Sequence, residues 1–194
     1  MMGDGFLDDL DAELAFADRA DARELQAEEE RLRVARLGLR DRIVGMARDH
    51  DGRGIRIDLR DRTSIVLAPE RSGRDWVSGR AAAPDGAGTF PCVVPMHAIR
   101  AIVPARADLP ASLAATGPGE VGDRLGLGAV LRDLCRRRAA VTIASGGQVL
   151  HGTIDRVGRD HLDLAVHEPG TARRDADVRQ VRIVPFAEVD LVRW

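Results

Sequence analysis

Apolar residues recur along this chain in two rhythms, a three-to-four-residue step at its front and a two-residue step further on. Leu7, Leu10, Leu14 and Ala17 follow the first rhythm, with Asp8, Asp9, Asp11, Glu13 and Asp18 on the other sides, which predicts a helix over residues 6–34. Asp21 with Glu24 forms a capping-box pattern inside it. Leu25, Leu32, Leu39 and Met46 then stand at a spacing of seven, with Ile43 in the same stripe. The register slips between Leu14 and Leu25, so the stripe does not continue as a coiled coil. It suits a helix docking on the body or pairing with a second chain.

The two-residue rhythm is clearest near the C-terminus. Val141-Thr142-Ile143 alternates as a strand, and Ser145-Gly146-Gly147-Gln148 predicts a tight hairpin, because glycine accepts the positive φ such turns require. After a turn at Gly158-Arg159, Leu162, Leu164 and Val166 share one strand face. Residues 167–178 form a polar loop, and Val181 and Ile183 rebuild a strand. Pro185, lacking an N–H, breaks that ladder before a last strand from Val189 to Val192.

These elements occur twice. Arg36-Leu37-Gly38-Leu39 recurs unchanged as Arg124-Leu125-Gly126-Leu127, each opening a helical stretch that ends near Arg48 or Arg138. In order along the chain, Ile57-Asp58-Leu59 aligns with Val141-Thr142-Ile143, and Ile65-Val66-Leu67-Ala68 with Val149-Leu150-His151-Gly152. Gly73-Arg74-Asp75-Trp76-Val77 aligns with Gly158-Arg159-Asp160-His161-Leu162, and Val93-Val94-Pro95 with Ile183-Val184-Pro185. The chain therefore divides into an acidic helical arm (1–35), a first unit (36–104), a Pro/Gly/Ala-rich linker (105–123) and a second unit (124–194).

A helix followed by five short strands resembles the Sm-like (LSm/Hfq) small β-barrel. The segment carrying the likeness runs from Leu150 through Gly152, Ile154, Val157 and Gly158 to Leu162, with Ile183-Val184-Pro185 in place of the second Sm motif. The layout is also similar to a family of actinobacterial proteins with an acidic, Ala-rich helix and Gly-x-Asp-Trp-type repeats. The resemblance implies an α+β, mainly β, fold: an N-terminal acidic helix, then two tandem Sm/SH3-like five-stranded small β-barrels, each preceded by a helix and packed through those helices. It does not bring the family's base-reading residues. Gly158 and Leu162 stand at the aspartate and asparagine positions, and Val184-Pro185 at the Arg-Gly pair. The first copy has Gly73, Val77 and Val94-Pro95 there.

Composition narrows the function classes. All 29 basic residues are Arg, and Lys, Asn and Tyr are absent. Those missing types have AT-rich codons, so codon bias accounts for part of the Arg abundance. Residues 1–30 hold 11 acids and two Arg, while residues 31–110 hold 15 Arg and nine acids. An acidic arm thus precedes a basic body. No run of 18 apolar residues exists, and the acidic N-terminus is unlike a secretory signal, so a cytoplasmic protein without a membrane span is expected. Cys92 and Cys135 read as buried thiols.

Candidate chemistry is sparse. His151, His161 and His167 lack metal-ligand spacing, and no nucleophile accompanies His161 with Asp160 and Asp163. Gly146-Gly147 has neither the context nor the Lys of a phosphate-binding loop. No catalytic residue, metal, cofactor or small-molecule substrate is expected. Arg136, Arg137, Arg138, Arg173, Arg174 and Arg182 are the candidates for nucleic-acid contact, since neutralising phosphate needs charge alone. Trp76 and the helix positions Leu7, Leu10 and Leu14 are the candidates for partner contact. The leading expectation is a non-enzymatic protein-interaction or scaffold role, including self-association. The alternative is an RNA-binding protein with Arg-rich faces and the acidic arm as an autoinhibitory mimic of phosphate.

Overall fold

The computed structural model describes residues 4–48, 54–82, 88–114, 124–171 and 173–194; over residues 4–20 only Phe16 and Arg19 are described at the side-chain level. The chain divides into two units, Met1–Gly38 and Leu39–Trp194. In the first, helix α1 (Asp4–Ala35) realises the expected arm. Its charges pair along the helix surface, Glu28 with Arg31 and Glu30 with Arg33 at three-residue spacing. Phe16, Leu25 and Leu32 are exposed. The helix stops at Ala35, so the seven-residue stripe is cut before Leu39.

The second unit is built on one antiparallel sheet. Its first half comprises α2 (Leu39–Arg48), β1 (Ile55–Leu59), β2 (Ser64–Ser72), β3 (Trp76–Ala82), β4 (Thr89–Pro95) and β5 (Ile99–Val103). Its second half comprises α4 (Leu127–Arg136), β6 (Ala140–Ser145), β7 (Gln148–Val157), β8 (His161–Val166), β9 (Gln180–Pro185) and β10 (Val189–Arg193). A short helix, α3 (Leu109–Leu113), lies in the segment expected as linker and packs on α2. There Arg42 donates to Ser112 Oγ at 2.9 Å, and Ser112 is fully buried. In α4 the four-and-three spacing of Leu127, Leu131 and Leu134 buries one face, which packs on β7.

Across the sheet the strands run β5-β1-β2-β3-β4-β10-β6-β7-β8-β9. This corrects the expectation of two separate five-stranded barrels packed through their helices. The sheet is open, and the two halves are joined by strands: β4 pairs with β10, Val192 opposite Val93 and Arg193 opposite Cys92. The cores are shared for the same reason. Trp76 and Val93 of the first half belong to the core formed by Leu127, Leu131, Ile143, Leu162 and Leu164. Leu191 of the second half packs against the core of Ile43, Ile57, Leu59, Leu67 and Val77. Neither half completes its own interior.

The duplication is visible in the pairing. Each half has the same strand order, β5-β1-β2-β3-β4 and β10-β6-β7-β8-β9. Irregularities recur at equivalent places, between Pro69 and Arg71 and between Ile154 and Arg156. Trp76 faces Pro95 as His161 faces Pro185. The Gly73 N–H donates to Trp76 O at 2.9 Å, as Gly158 does to His161 O at 2.8 Å. Gly73 is needed for close approach, since an added Cβ would lie 2.4 Å from the Leu125 carbonyl oxygen, and at Gly158 an added Cβ would lie 2.5 Å from His161 Cε1.

Two alignments in the sequence reading are shifted. Ile57 faces Ile102 on β5 and Ile143 faces Val192 on β10, so Ile55-Arg56-Ile57, not Ile57-Asp58-Leu59, matches Val141-Thr142-Ile143. Likewise Ile65 faces Ile57 and Leu150 faces Ile143, which places Leu150, not Val149, over Ile65. A one-residue slip reverses every side chain's face. Val149 is accordingly exposed while Leu150 is buried. The hairpin at Gly146 and Gly147 forms as expected, with φ of 55° and 79°.

Leu162 and Leu164 are fully buried on the inner face of β8. Leu164→Ala is expected to lower the unfolding free energy by about 2–5 kcal/mol, from lost transfer energy and the cavity left behind. Urea unfolding of the two proteins checks it, and an unchanged midpoint would contradict the register.

Candidate interaction surface

The pairing of β4 with β10 is an internal example of what this sheet's edges can bind. Around it the first half presents Asp75 and Trp76, and the second half presents the start of α4. Trp76 Nε1–H donates to Leu125 O at 2.9 Å, the Arg74 N–H donates to the same carbonyl at 3.0 Å, and the Leu127 N–H donates to Asp75 Oδ1 at 2.7 Å. Asp75 thereby caps α4 from the other half of the chain, satisfying one of the N–H groups a helix start leaves open. Arg60 Nε–H reaches Asp190 Oδ1 at 2.6 Å, and the Gly146 N–H donates to Asp190 Oδ2 at 3.1 Å. Asp190 is 1% exposed, so those donors replace the water its carboxylate lost. The Val189 carbonyl lies 3.1 Å from His97 Nε2.

Among the described residues two strands have no such covering, β5 and β9 at the ends of the sheet. Pairing equivalence matches β9 to β4 and β5 to β10. Val93 on β4 is 0% exposed, whereas its counterpart Ile183 on β9 is 70% exposed. Val181 and Val103 are also exposed on these edge strands. Edge strands bearing apolar side chains are templates for another strand.

Three of the six Arg candidates pair with carboxylates and a fourth bonds an amide oxygen. Arg136 and Arg137 both pair with Asp133 at the end of α4, the latter at 2.6 Å. Arg173 is held in a fork on Asp155, Nε–H to Oδ1 at 2.6 Å and Nη2–H to Oδ2 at 2.7 Å, and donates to Asp175 at 2.8 Å. Arg182 donates to Gln148 Oε1 at 2.7 Å. Arg138, with φ of 53°, and Arg174 are exposed. Trp76 is buried in the internal junction, where the other half of the chain occupies it. The side chains of Leu7, Leu10 and Leu14 lie outside the described residues.

The histidines are engaged locally. His151 Nδ1 lies 3.0 Å from Thr142 Oγ1, buried His167 Nε2 lies 2.9 Å from Thr153 Oγ1, and His161 Nδ1 lies 2.9 Å from Asp160 Oδ1. Among the described residues no group of three or more His, Cys, Asp and Glu side chains could hold a metal ion, and no helix is long and apolar enough to cross a membrane. Burial pushes the Cys92 thiol up to about 12, leaving it a poor nucleophile. The sequence pattern placed a strand at Val181 and Ile183 but missed that β5 and β9 are the open edges of the sheet, and missed the Arg60–Asp190 pair. The signal for the edges was present in Ile183 and Val103, apolar residues whose exposure depends on strand order.

No protein-family model matches the chain, and neither a curated protein nor a solved structure does.

Two predictions follow from these ion pairs. Arg60→Ala leaves the Asp190 carboxylate buried with the Gly146 N–H, and is expected to cost on the order of 2–3 kcal/mol in chemical unfolding. The Arg173 hydrogen bonds hold the Asp155 carboxyl below its usual range, so the pair stabilises the fold above the unfolded carboxyl pKa and loses that contribution as pH falls through the folded value. Thermal unfolding of wild type and Arg173→Ala should differ at neutral pH, and the gap should begin to close only below about pH 4 and vanish once the folded carboxyl is protonated. A gap that persists in acid would show that packing, not the carboxylate, is what Arg173 supplies.

Proposed function

We propose that this chain is a non-enzymatic protein-interaction module, a scaffold that binds other polypeptide through the open edges of its sheet. The observation that carries this reading is Ile183, 70% exposed on an edge strand, where its equivalent Val93 is buried and paired with Val192 of β10. Strand addition at such an edge uses main-chain hydrogen bonds for affinity and alternate side chains for specificity. RNA binding through the Arg faces receives less support. Arg136, Arg137 and Arg173 are paired with carboxylates, which reduces the charge they offer to phosphate.

Photo-cross-linking in the native cell separates the two readings. A benzophenone amino acid in place of Arg100 on β5, or of Arg182 on β9, is expected to give adducts with polypeptide that survive ribonuclease. Adducts that vanish with ribonuclease, or none from either edge, would overturn the proposal.

A further inference from the structure

Resting on that reading of the edges, we propose that the occupant is a second copy of this chain, joined β9 to β5 in head-to-tail fashion by a repeat of the junction that already holds the two halves together. The internal junction is heterologous: a strand of the β4 type meets a strand of the β10 type. Each chain has one further strand of each type, β9 and β5, at opposite ends of the sheet. Carrying the internal register over places Ile102 opposite Ile183 and Val103 opposite Arg182, where Val192 faces Val93 and Arg193 faces Cys92 within the chain. Such pairing would bury the exposed side chain of Ile183 as β10 buries that of Val93.

The docking elements beside the strands are duplicated too. Inside the chain, Gly73-Arg74-Asp75 meets Arg124-Leu125-Gly126-Leu127, with Asp75 capping α4 and the Leu125 carbonyl taking two N–H donors. The same residues recur as Gly158-Arg159-Asp160 and Arg36-Leu37-Gly38-Leu39. Asp160 sits at the β9 end with its side chain 83% exposed, and Leu39, 43% exposed, opens α2. His161 replaces Trp76, with its Nδ1 2.9 Å from Asp160 Oδ1. Asp160 of one copy is therefore placed to cap α2 of the next, as Asp75 caps α4. This explains why these two tetrapeptide and tripeptide motifs are unchanged between copies that have diverged at most other positions.

The inter-chain junction lacks one part of the internal one. Gly146 and Arg100 stand where Arg60 and Asp190 form their ion pair, so the second junction is the weaker and responds to concentration. Because β9 does not pair with β9, each added copy again leaves one β5 and one β9, and growth ends only by closing into a ring.

Sedimentation of the purified full-length chain over a concentration series is expected to show species beyond the monomer. Ile183→Lys blocks β9, and Val103→Lys blocks β5, by placing charge on an edge. Each variant alone should be monomeric with an unchanged unfolding midpoint, and a mixture of the two should give a one-to-one dimer through the remaining intact edges. Asp160→Ala should weaken association about five-fold, the usual worth of a helix cap. In the wild type, hydrogen exchange of amides 180–184 should slow as concentration rises, a readout that needs no variant. A wild type monomeric at about 100 μM with concentration-independent exchange would overturn self-assembly. A Val103→Lys chain that still dimerises alone would overturn the head-to-tail arrangement. Native cross-links from Arg100 or Arg182 positions to other proteins alone would leave the scaffold reading standing while refuting this one.

Discussion

The pairing of β4 with β10 is the contact on which the body of this protein depends. A β-strand has two hydrogen-bonding sides, and a five-stranded open half leaves one side of two strands unpaired. Joining the halves at β4 and β10 removes two of these four open sides. It also converts β4 into an interior strand, with Cys92, Val93, Val94 and Pro95 all buried. The shared cores, the Asp75 cap on α4 and the Arg60–Asp190 pair are all arranged around that joint.

Divergence between the copies follows from which edge each one covers. Val93 answers to Ile183, Cys92 to Arg182, Trp76 to His161 and Asp190 to Arg100. In every pair the residue at the joint is the more buried. A thiol and an indole suit a site that excludes water, whereas a guanidinium and an imidazole remain at ease when part of them is solvated. A carboxylate could be buried at Asp190 only because Arg60 and the Gly146 N–H converge on it.

Charge is used chiefly for local structure. On α1, Glu28 and Glu30 pair with Arg31 and Arg33, Asp133 gathers Arg136 and Arg137 at the end of α4, and Asp155 with Asp175 holds Arg173. A basic count read along the chain therefore overstates the positive field it can present, because the neutralising carboxylates lie close in space.

The repeat, helices α1, α2 and α4, the glycine hairpin and most strand positions were legible in the sequence, because each depends on spacing within a few residues. Leu127, Leu131 and Leu134 announce a buried helix face, and Gly146-Gly147 announces its turn, without reference to anything distant. Alignment of the weaker strands was not legible: Val149 and Leu150 are both apolar, and only pairing with Ile143 decides which points inward. Nor could the chain order reveal that β4 lies against β10, about a hundred residues away, rather than closing on its own half. Local pattern determines which segments are strands. Which of their edges are covered is decided by long-range pairing, and so it was the tertiary structure that buried Trp76 and Val93 and left Ile183 and Asp160 exposed.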